Sequence, residues 1–304
     1  MYTPGPGLPK FDYLKPASLG EAGRILTERA GEARPLMGGT DLFPKMRDGT
    51  MRPDVVVDVK HLPGLRDVVY DSRAGLTVGA AITMNELATH LDIRARYRLL
   101  AEAASAVGSY QVRNRATVGG NLCNASPCAD TALATLVLRG RVVLYGPNGE
   151  REMPIEAFFV GPGQSALQTG EFMTAIRYPA PPNGAAGRHL KLGRNRLGDL
   201  SLVSVEVLGF PDRTASGYQF RIGLGSVAPT VVRAIGAEAL LGANPPGEET
   251  FAAAADTAAE AAAPIDDVRS GAAYRKAMVR NLTLRGLRDV WARLRDESEL
   301  NREA

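Results

Sequence analysis

An α+β fold in two domains follows from three features of the 304-residue sequence. Two glycine-rich segments, LMGGTDLFP at 36–44 and TVGGNLCNASPCAD at 117–130, each end a run of β-type residues. A Pro-, Gly- and Ala-rich stretch, PAPPNGAAG at 179–187, reads as a linker. Beyond it, three strand-like runs precede helical segments, the order of a small α+β domain. Before it, strands and helices mix less regularly than a doubly wound sheet requires.

The elements follow in order. Residues 16–30 read as a helix, with Ser18 as N-cap and Glu21 completing a capping box. Residues 34–37 form a short strand that feeds the first Gly-Gly pair. The β-branched run DVVVDV at 54–59 is a strand, and 75–79 is another. Thr83 and Glu86 offer a second capping box for a helix at 83–91, and the alanine-rich 99–107 is helical. The apolar 131–138 is a buried helix or strand, between which periodicity does not decide. Residues 141–145 and 149–154 form a hairpin across Pro147-Asn148-Gly149. A strand at 172–178 leads into the linker. Strands at 189–193, 202–210 and 218–227 are then followed by helices at 232–241, 250–263 and 274–296.

Composition excludes several classes. Net charge is +3, from 36 basic and 33 acidic residues, too balanced for a nucleic-acid binder. No apolar run reaches the ~18 residues of a membrane span, and MYTPGPGLPKFDYLKP lacks the charged and apolar regions of a signal peptide. A cytoplasmic protein is expected. Cys123 and Cys128, spaced C-x4-C, are too few for a four-cysteine zinc site or a four-thiolate cluster. They read as small, half-buried packing residues. The three histidines fit neither H-E-x-x-H nor any other hydrolytic motif. His61 begins a turn and is expected in solvent, while His90 ends a helix, where its charge complements the dipole. His189 lies near Lys191. No pair of carboxylates stands out, so acid–base machinery is not evident. That suits a protein whose bound cofactor performs the electron chemistry.

The glycine pairs are the chemical feature. Adjacent glycines let backbone N–H groups approach a ligand with no Cβ between, and the Thr, Asn, Ser and Asp that follow are short polar partners. Two tight turns would account for each pair singly. Two such segments in one domain suggest a pincer around a diphosphate-bearing cofactor. Neither is G-x-G-x-x-G with a following acid, and neither is a Walker loop.

The segments LMGGTDLFPKMRDG, QVRNRATVGGNLCNASPCADTALATLVL and HLKLGRNRLGDLSLVSVEV resemble the FAD-binding (medium or β) subunit of the molybdenum hydroxylases. That family includes the carbon monoxide dehydrogenase medium subunit, the 4-hydroxybenzoyl-CoA reductase β subunit and the xanthine dehydrogenase flavin domain. The resemblance implies a vanillyl-alcohol-oxidase/PCMH-type FAD-binding domain at 1–182, in two parts near 1–58 and 59–182. A small α+β domain at 187–296 would follow. Leu36, Met37, Gly38, Gly39, Thr40, Asp41, Leu42 and Phe43 would wrap the pyrophosphate and ribityl chain, with oriented amides as donors. Thr117, Val118, Gly119, Gly120 and Asn121 would form the opposing wall, which Ser126 and Asp130 continue. Asp130 would accept from a ribose or ribityl hydroxyl, cap the helix at 131–138, or both. Val107 and Met173 would border the flavin. Lys191 would sit near the isoalloxazine, favouring an anionic reduced form, or is otherwise an exposed strand lysine.

FAD would be noncovalent, because no histidine lies in either segment and only Cys123 could compete. The cysteine-bearing insert of the benzoyl-CoA reductase relative is absent, so no resident cluster is expected. Molybdopterin and [2Fe-2S] clusters would belong to a large and a small partner subunit. Ser109-Tyr110-Gln111, Ala116 and Cys128 depart from the family pattern and leave the electron acceptor open. A freestanding FAD-dependent oxidase or reductase, and a non-catalytic nucleotide-binding assembly protein, are the competing readings. The missing acid–base residues argue against the first, and the paired segments with Lys191 argue against the second.

Overall fold

In the computed structural model, which describes residues 7–195 and 198–303, the first part of the chain builds a three-stranded parallel sheet. Its elements are β1 (Asp12–Leu14), α1 (Leu19–Glu28), β2 (Ala33–Leu36), α2 (Leu42–Arg47) and β3 (Val55–Asp58), with strand order β1-β3-β2. Residues 1–6, part of the stretch read for a signal peptide, lie outside the described residues.

Next come β4 (Val68–Asp71), β5 (Gly75–Gly79), α3 (Met84–Thr89), α4 (Leu91–Arg96), α5 (Arg98–Ala106), α6 (Tyr110–Arg113), α7 (Val118–Cys123) and α8 (Asp130–Val137). They lead to β6 (Arg141–Gly146), β7 (Gly149–Pro154), α9 (Ile155–Phe158), β8 (Phe159–Gly161), β9 (Gln164–Ser165) and β10 (Phe172–Tyr178). Five of these strands form an antiparallel sheet in the order β4-β5-β10-β6-β7. The last part holds β11 (Ala186–Leu192), β12 (Val203–Pro211), β13 (Tyr218–Gly225) and β14 (Val232–Arg233), an antiparallel sheet in chain order. Helices α10 (Ile235–Ala243), α11 (Glu248–Glu260) and α12 (Ala272–Glu303) complete the fold.

Local chemistry explains the helix starts. Thr83 and Glu86 form the full capping box at α3. At α1, Ser18 accepts from Glu21 N, but the Glu21 carboxylate accepts from Ala17 N, so the reciprocal bond forms one residue early. The undecided 131–138 is helical: every residue of α8 is buried, so a sequence apolar almost throughout suits it.

Three expectations change, and some elements were not expected. The second glycine segment ends no strand; Thr117 makes only an isolated bridge with Thr83, and the chain goes straight into α7. Residues 232–233 are a strand because Val232 pairs with Leu224, which delays the helix to Ile235. The linker is shorter than 179–187, since Ala186 already pairs with Gly209. Strands β1 and β4 and helix α4 carry too few patterned residues to stand out in the sequence.

The C-terminal sheet is sandwiched. Val207, Phe220 and Ile222 pack with Val290 and Leu287 of α12, and the opposite face receives α8. Gly223 makes that second contact possible, because a Cβ there would lie 2.7 Å from both Leu133 Cδ1 and Val137 Cγ2. Gly223→Val is therefore expected to cost about 1–3 kcal/mol by overpacking. A lower urea midpoint with an unchanged slope would show it; an unchanged midpoint would mean that the contact is slack.

Candidate functional site

Strand β2 ends at Leu36, and the chain turns through Met37, Gly38, Gly39, Thr40 and Asp41 into α2. Among the described residues, the backbone N–H groups of Gly38, Gly39, Thr40 and Asp41 make no hydrogen bond within the protein. Gly39 sits at φ +75°, and a Cβ there would approach the Phe43 ring to 2.7 Å. On Gly38 a Cβ would lie 2.3 Å from the Arg115 carbonyl oxygen. Glycine is thus required at both positions to bend this backbone and seat it against its neighbours.

On the facing wall, Thr117 is the N-cap of α7, and its Oγ1 accepts from Gly120 N at 3.1 Å. The amides of Val118 and Gly119 donate to Ile82 O and Ala80 O. The two glycines of this pair have different roles. A Cβ on Gly119 would fall 2.5 Å from Ala80 Cβ, so Gly119 serves core packing. Gly120 meets only Thr117 Oγ1, at 2.9 Å, and faces open space.

Between these walls lies a cleft of about 310 Å3. From the sequence-derived set, residues 36–42, Thr117, Gly120, Asn121 and Met173 line it. Phe43 packs beneath Gly39 with Leu36 and Met46, and Val118 is buried in the main core. Ser126 Oγ accepts from Cys128 N at 3.2 Å, and Val107, at the end of α5, offers its carbonyl to Arg113. Sequence reasoning did not single out Lys45 or Asn124. Lys45 Nζ donates to Asn124 Oδ1 at 2.8 Å, and Asn124 Nδ2 donates to Asp41 Oδ1 at 3.1 Å, tying the two walls together. Both residues lie in the noted motifs, but no local signal pairs them across the cleft. Cys123 also lines it, its thiol pushed up to about 12 by burial and so held protonated.

A second cleft, of about 470 Å3, is lined by Ala106, Gly108, Arg113 and Lys191. Lys191 Nζ donates to Ala106 O at 2.8 Å and to Asp130 Oδ2 at 2.7 Å, which leaves one of its three donors uncommitted. The lysine is therefore not an exposed strand residue. Asp130 is not the N-cap either. Ala129 occupies that position, and Asp130 opens α8 with its carboxylate buried against Lys191. The first turn of α8 ties a wall of each cleft to the other: Asp130 holds Lys191, and Thr131 Oγ1 donates to Asn121 Oδ1 at 2.6 Å, leaving the Asn121 NH2 available.

Behind Lys191 lies a buried polar group. His189 points to the same side of β11 two residues earlier, and its Nδ1 lies 2.7 Å from Glu206 Oε1, on the residue opposite in β12. Its Nε2 is 3.9 Å from Asp130 Oδ1. Glu206 escaped the sequence reading, although a glutamate amid the β-branched LVSVEV is itself a signal. Burial, then the neighbouring Asp130 and Glu102, raise the Glu206 carboxyl well above its ordinary range. Burial also lifts Asp130 to about 6 despite Lys191, and lowers His189 to about 3 with help from Lys191 and Arg188. In the folded protein Glu206 thus holds its proton and His189 is a neutral imidazole.

Unpaired amides along one wall, an open glycine opposite, and a lysine in the adjoining cleft define a protein that binds a diphosphate-bearing cofactor. Residues 9–181 match the FAD binding domain in molybdopterin dehydrogenase, and residues 188–290 the CO dehydrogenase flavoprotein C-terminal domain. The chain belongs to the family of FAD-binding medium subunits of carbon monoxide and xanthine dehydrogenases. It is 34% identical to the carbon monoxide dehydrogenase medium chain of Hydrogenophaga pseudoflava, over 94% of this chain and 98% of that one. The xanthine dehydrogenase FAD-binding subunit of Escherichia coli O157:H7 is 28% identical, over 89% and 92%. A solved carbon monoxide dehydrogenase from H. pseudoflava superposes with a TM-score of 0.89, at 34% identity, covering 94% of this chain and 99% of that one. Quinoline 2-oxidoreductase from Pseudomonas putida 86 gives 0.87 at 26% identity, covering 94% and 98%. The residues present fit FAD: amides without internal partners suit a diphosphate, and a Cβ on Gly120 would intrude on the space between the walls.

Two outcomes follow. Gly120→Val should weaken FAD binding severely while the fold persists, since the side chain fills the cleft and meets only the Thr117 hydroxyl, at 2.9 Å, among protein atoms; flavin retention after gel filtration checks it. The unfolded chain protonates His189 near its ordinary pKa of 6.5, but the folded chain does so only near 3. The raised carboxyls of Asp130 and Glu206 act in the opposite sense as pH falls, so the check is a comparison: as pH drops from 6.5 toward 3, wild type should lose stability relative to His189→Gln in urea titrations.

Proposed function

We propose that this chain is the electron-transfer flavin subunit of a three-subunit molybdenum hydroxylase or dehydrogenase. A small [2Fe-2S] subunit and a large molybdopterin subunit would complete the complex. The observation that carries the reading is the row of four unpaired amides at Gly38–Asp41, facing Gly120, in a chain aligned over nearly its whole length with flavin subunits. When bound, FAD supplies the redox chemistry by which electrons pass between iron–sulfur clusters and an external acceptor.

The amides of Gly38, Gly39, Thr40 and Asp41 hold the diphosphate without a basic side chain, as oriented N–H groups bind anions. Thr117, Gly120 and Asn121 close the opposite side, and Met173 adds an apolar surface. Lys191 presents a cation to the adjoining cleft, where it favours added negative charge. The Asp41–Asn124–Lys45 bridge fixes the separation of the walls. Substrate chemistry would belong to the large subunit. The proposed location is cytoplasmic; among the described residues, no helix is long and apolar enough to cross a membrane.

Purification of the native complex tests the assignment. Molybdenum, iron and FAD should co-elute with this chain and two others. A chain that purifies alone and turns over a substrate would favour the freestanding oxidase instead.

A further inference from the structure

The Lys191–Asp130–His189–Glu206 group contains more acceptors than protons. Asp130 Oδ1, His189 Nε2 and Glu206 Oε2 are all buried without a hydrogen-bond partner. Two of these atoms, Asp130 Oδ1 and His189 Nε2, face each other across 3.9 Å, too far for a hydrogen bond. Unpartnered buried polar atoms are costly, and a carboxylate and an imidazole so placed can be joined by one proton. With His189 in the tautomer whose Nδ1–H donates to Glu206 Oε1, and with the Glu206 proton on Oε2, Nε2 is a bare acceptor, so the vacancy lies between it and Asp130 Oδ1.

We propose that Asp130 and His189 form a redox-linked proton site: reduction of the cofactor beside Lys191 draws one proton from water into the gap between Asp130 Oδ1 and His189 Nε2. The proposal rests on the reading of the Lys191 cleft as facing FAD. Two electrons reach the cofactor from the partner subunit's clusters and one proton reaches the gap from water; no bond within the protein breaks. The driving force is Coulombic. Added negative charge beside Lys191 competes with Asp130 for its ammonium, and raises the proton affinity of the group behind it. Reoxidation returns the proton. Glu206 stays protonated throughout and acts as the neutral partner of His189 Nδ1.

The surroundings agree. On β11, Arg188 and Lys191 supply positive charge, and on β12 Glu206 is neutral. On α5, Glu102 accepts from His189 N and also faces Arg188 and Arg293, and on α12 Asp289 pairs with Arg188. On β10, the Tyr178 hydroxyl is engaged with Thr135 and stays protonated. Asp130 and His189 are therefore the two groups left to share a proton. Solvent comes nearest to this buried pair at a cleft of about 740 Å3 that His189 lines with Arg94, Glu102 and Arg188.

The full chain loaded with FAD is reduced electrochemically, and proton uptake is read with an indicator dye in weak buffer. Wild type should take up about one more proton per two electrons than Asp130→Asn or His189→Gln. The midpoint potential of either variant should fall less steeply with pH, by up to about 30 mV per unit, the two-electron equivalent of a tenfold change. Glu206→Gln mimics the protonated acid and should keep wild-type uptake. Imidazole nitrogen NMR on wild type should show His189 changing on reduction while His61 and His90 do not. Equal uptake by wild type and an FAD-binding Asp130→Asn or His189→Gln chain, or an unchanged His189 resonance, overturns the proposal alone. A wild-type chain that takes up no FAD overturns the cofactor reading and this proposal with it.

Discussion

The seating of α8 against the C-terminal sheet is the contact on which the site depends. Leu133 and Val137 press into the space left by Gly223, and this fixes where the first turn of the helix lies. From that turn Asp130 reaches Lys191 of the C-terminal sheet, while Thr131 reaches Asn121 of the glycine-bearing wall. One buried helix thus sets the relation between both clefts. Interiors transmit displacement because they are close-packed, so a shift of α8 would alter the lysine and the amide wall together.

The buried charges are arranged within narrow limits. Asp130 and Glu206 are both buried, with a single lysine in direct contact. Two ionised carboxylates with one cation would carry a large desolvation penalty. The structure avoids this by keeping Glu206 protonated and hydrogen-bonded to a neutral His189. The Asp130–Lys191 pair then stands as the ionic element nearest the second cleft. Its geometry leaves Lys191 one free donor, which is what a cation needs if it is to respond to charge arriving from outside.

Glycine pairs that look alike in sequence do unlike things. Gly38 and Gly39 allow a bent backbone whose N–H groups are left for a ligand. Gly119 lets α7 lie against Ala80, and only Gly120 keeps space clear between the walls. On the proposed reading anion binding falls to amides, while Lys45, a cation lining the same cleft, is engaged by Asn124. A diphosphate held by amides needs no deprotonatable group, so its binding need not compete with the proton chemistry behind Lys191.

Local patterns were legible in the sequence wherever neighbours in the chain determine the outcome. The capping box at Thr83 and Glu86, the hairpin around Pro147-Asn148, the strand at 172–178 and the bend at Gly38-Gly39 all follow from short-range sterics and hydrogen bonding. Motif order was enough to identify the family and the flavin, because backbone amides and glycines must occur in sequence to meet a diphosphate. The state of 131–138, the bridge from Lys45 to Asn124 and the partnership of Asp130 with Lys191 were not legible. Each joins residues far apart in the chain: 79 residues separate Lys45 from Asn124, and 61 separate Asp130 from Lys191. Sequence determined which residues could bind, bend or carry charge. Tertiary packing alone decided which of them were dehydrated together, and dehydration sets the protonation of Glu206, His189 and Asp130.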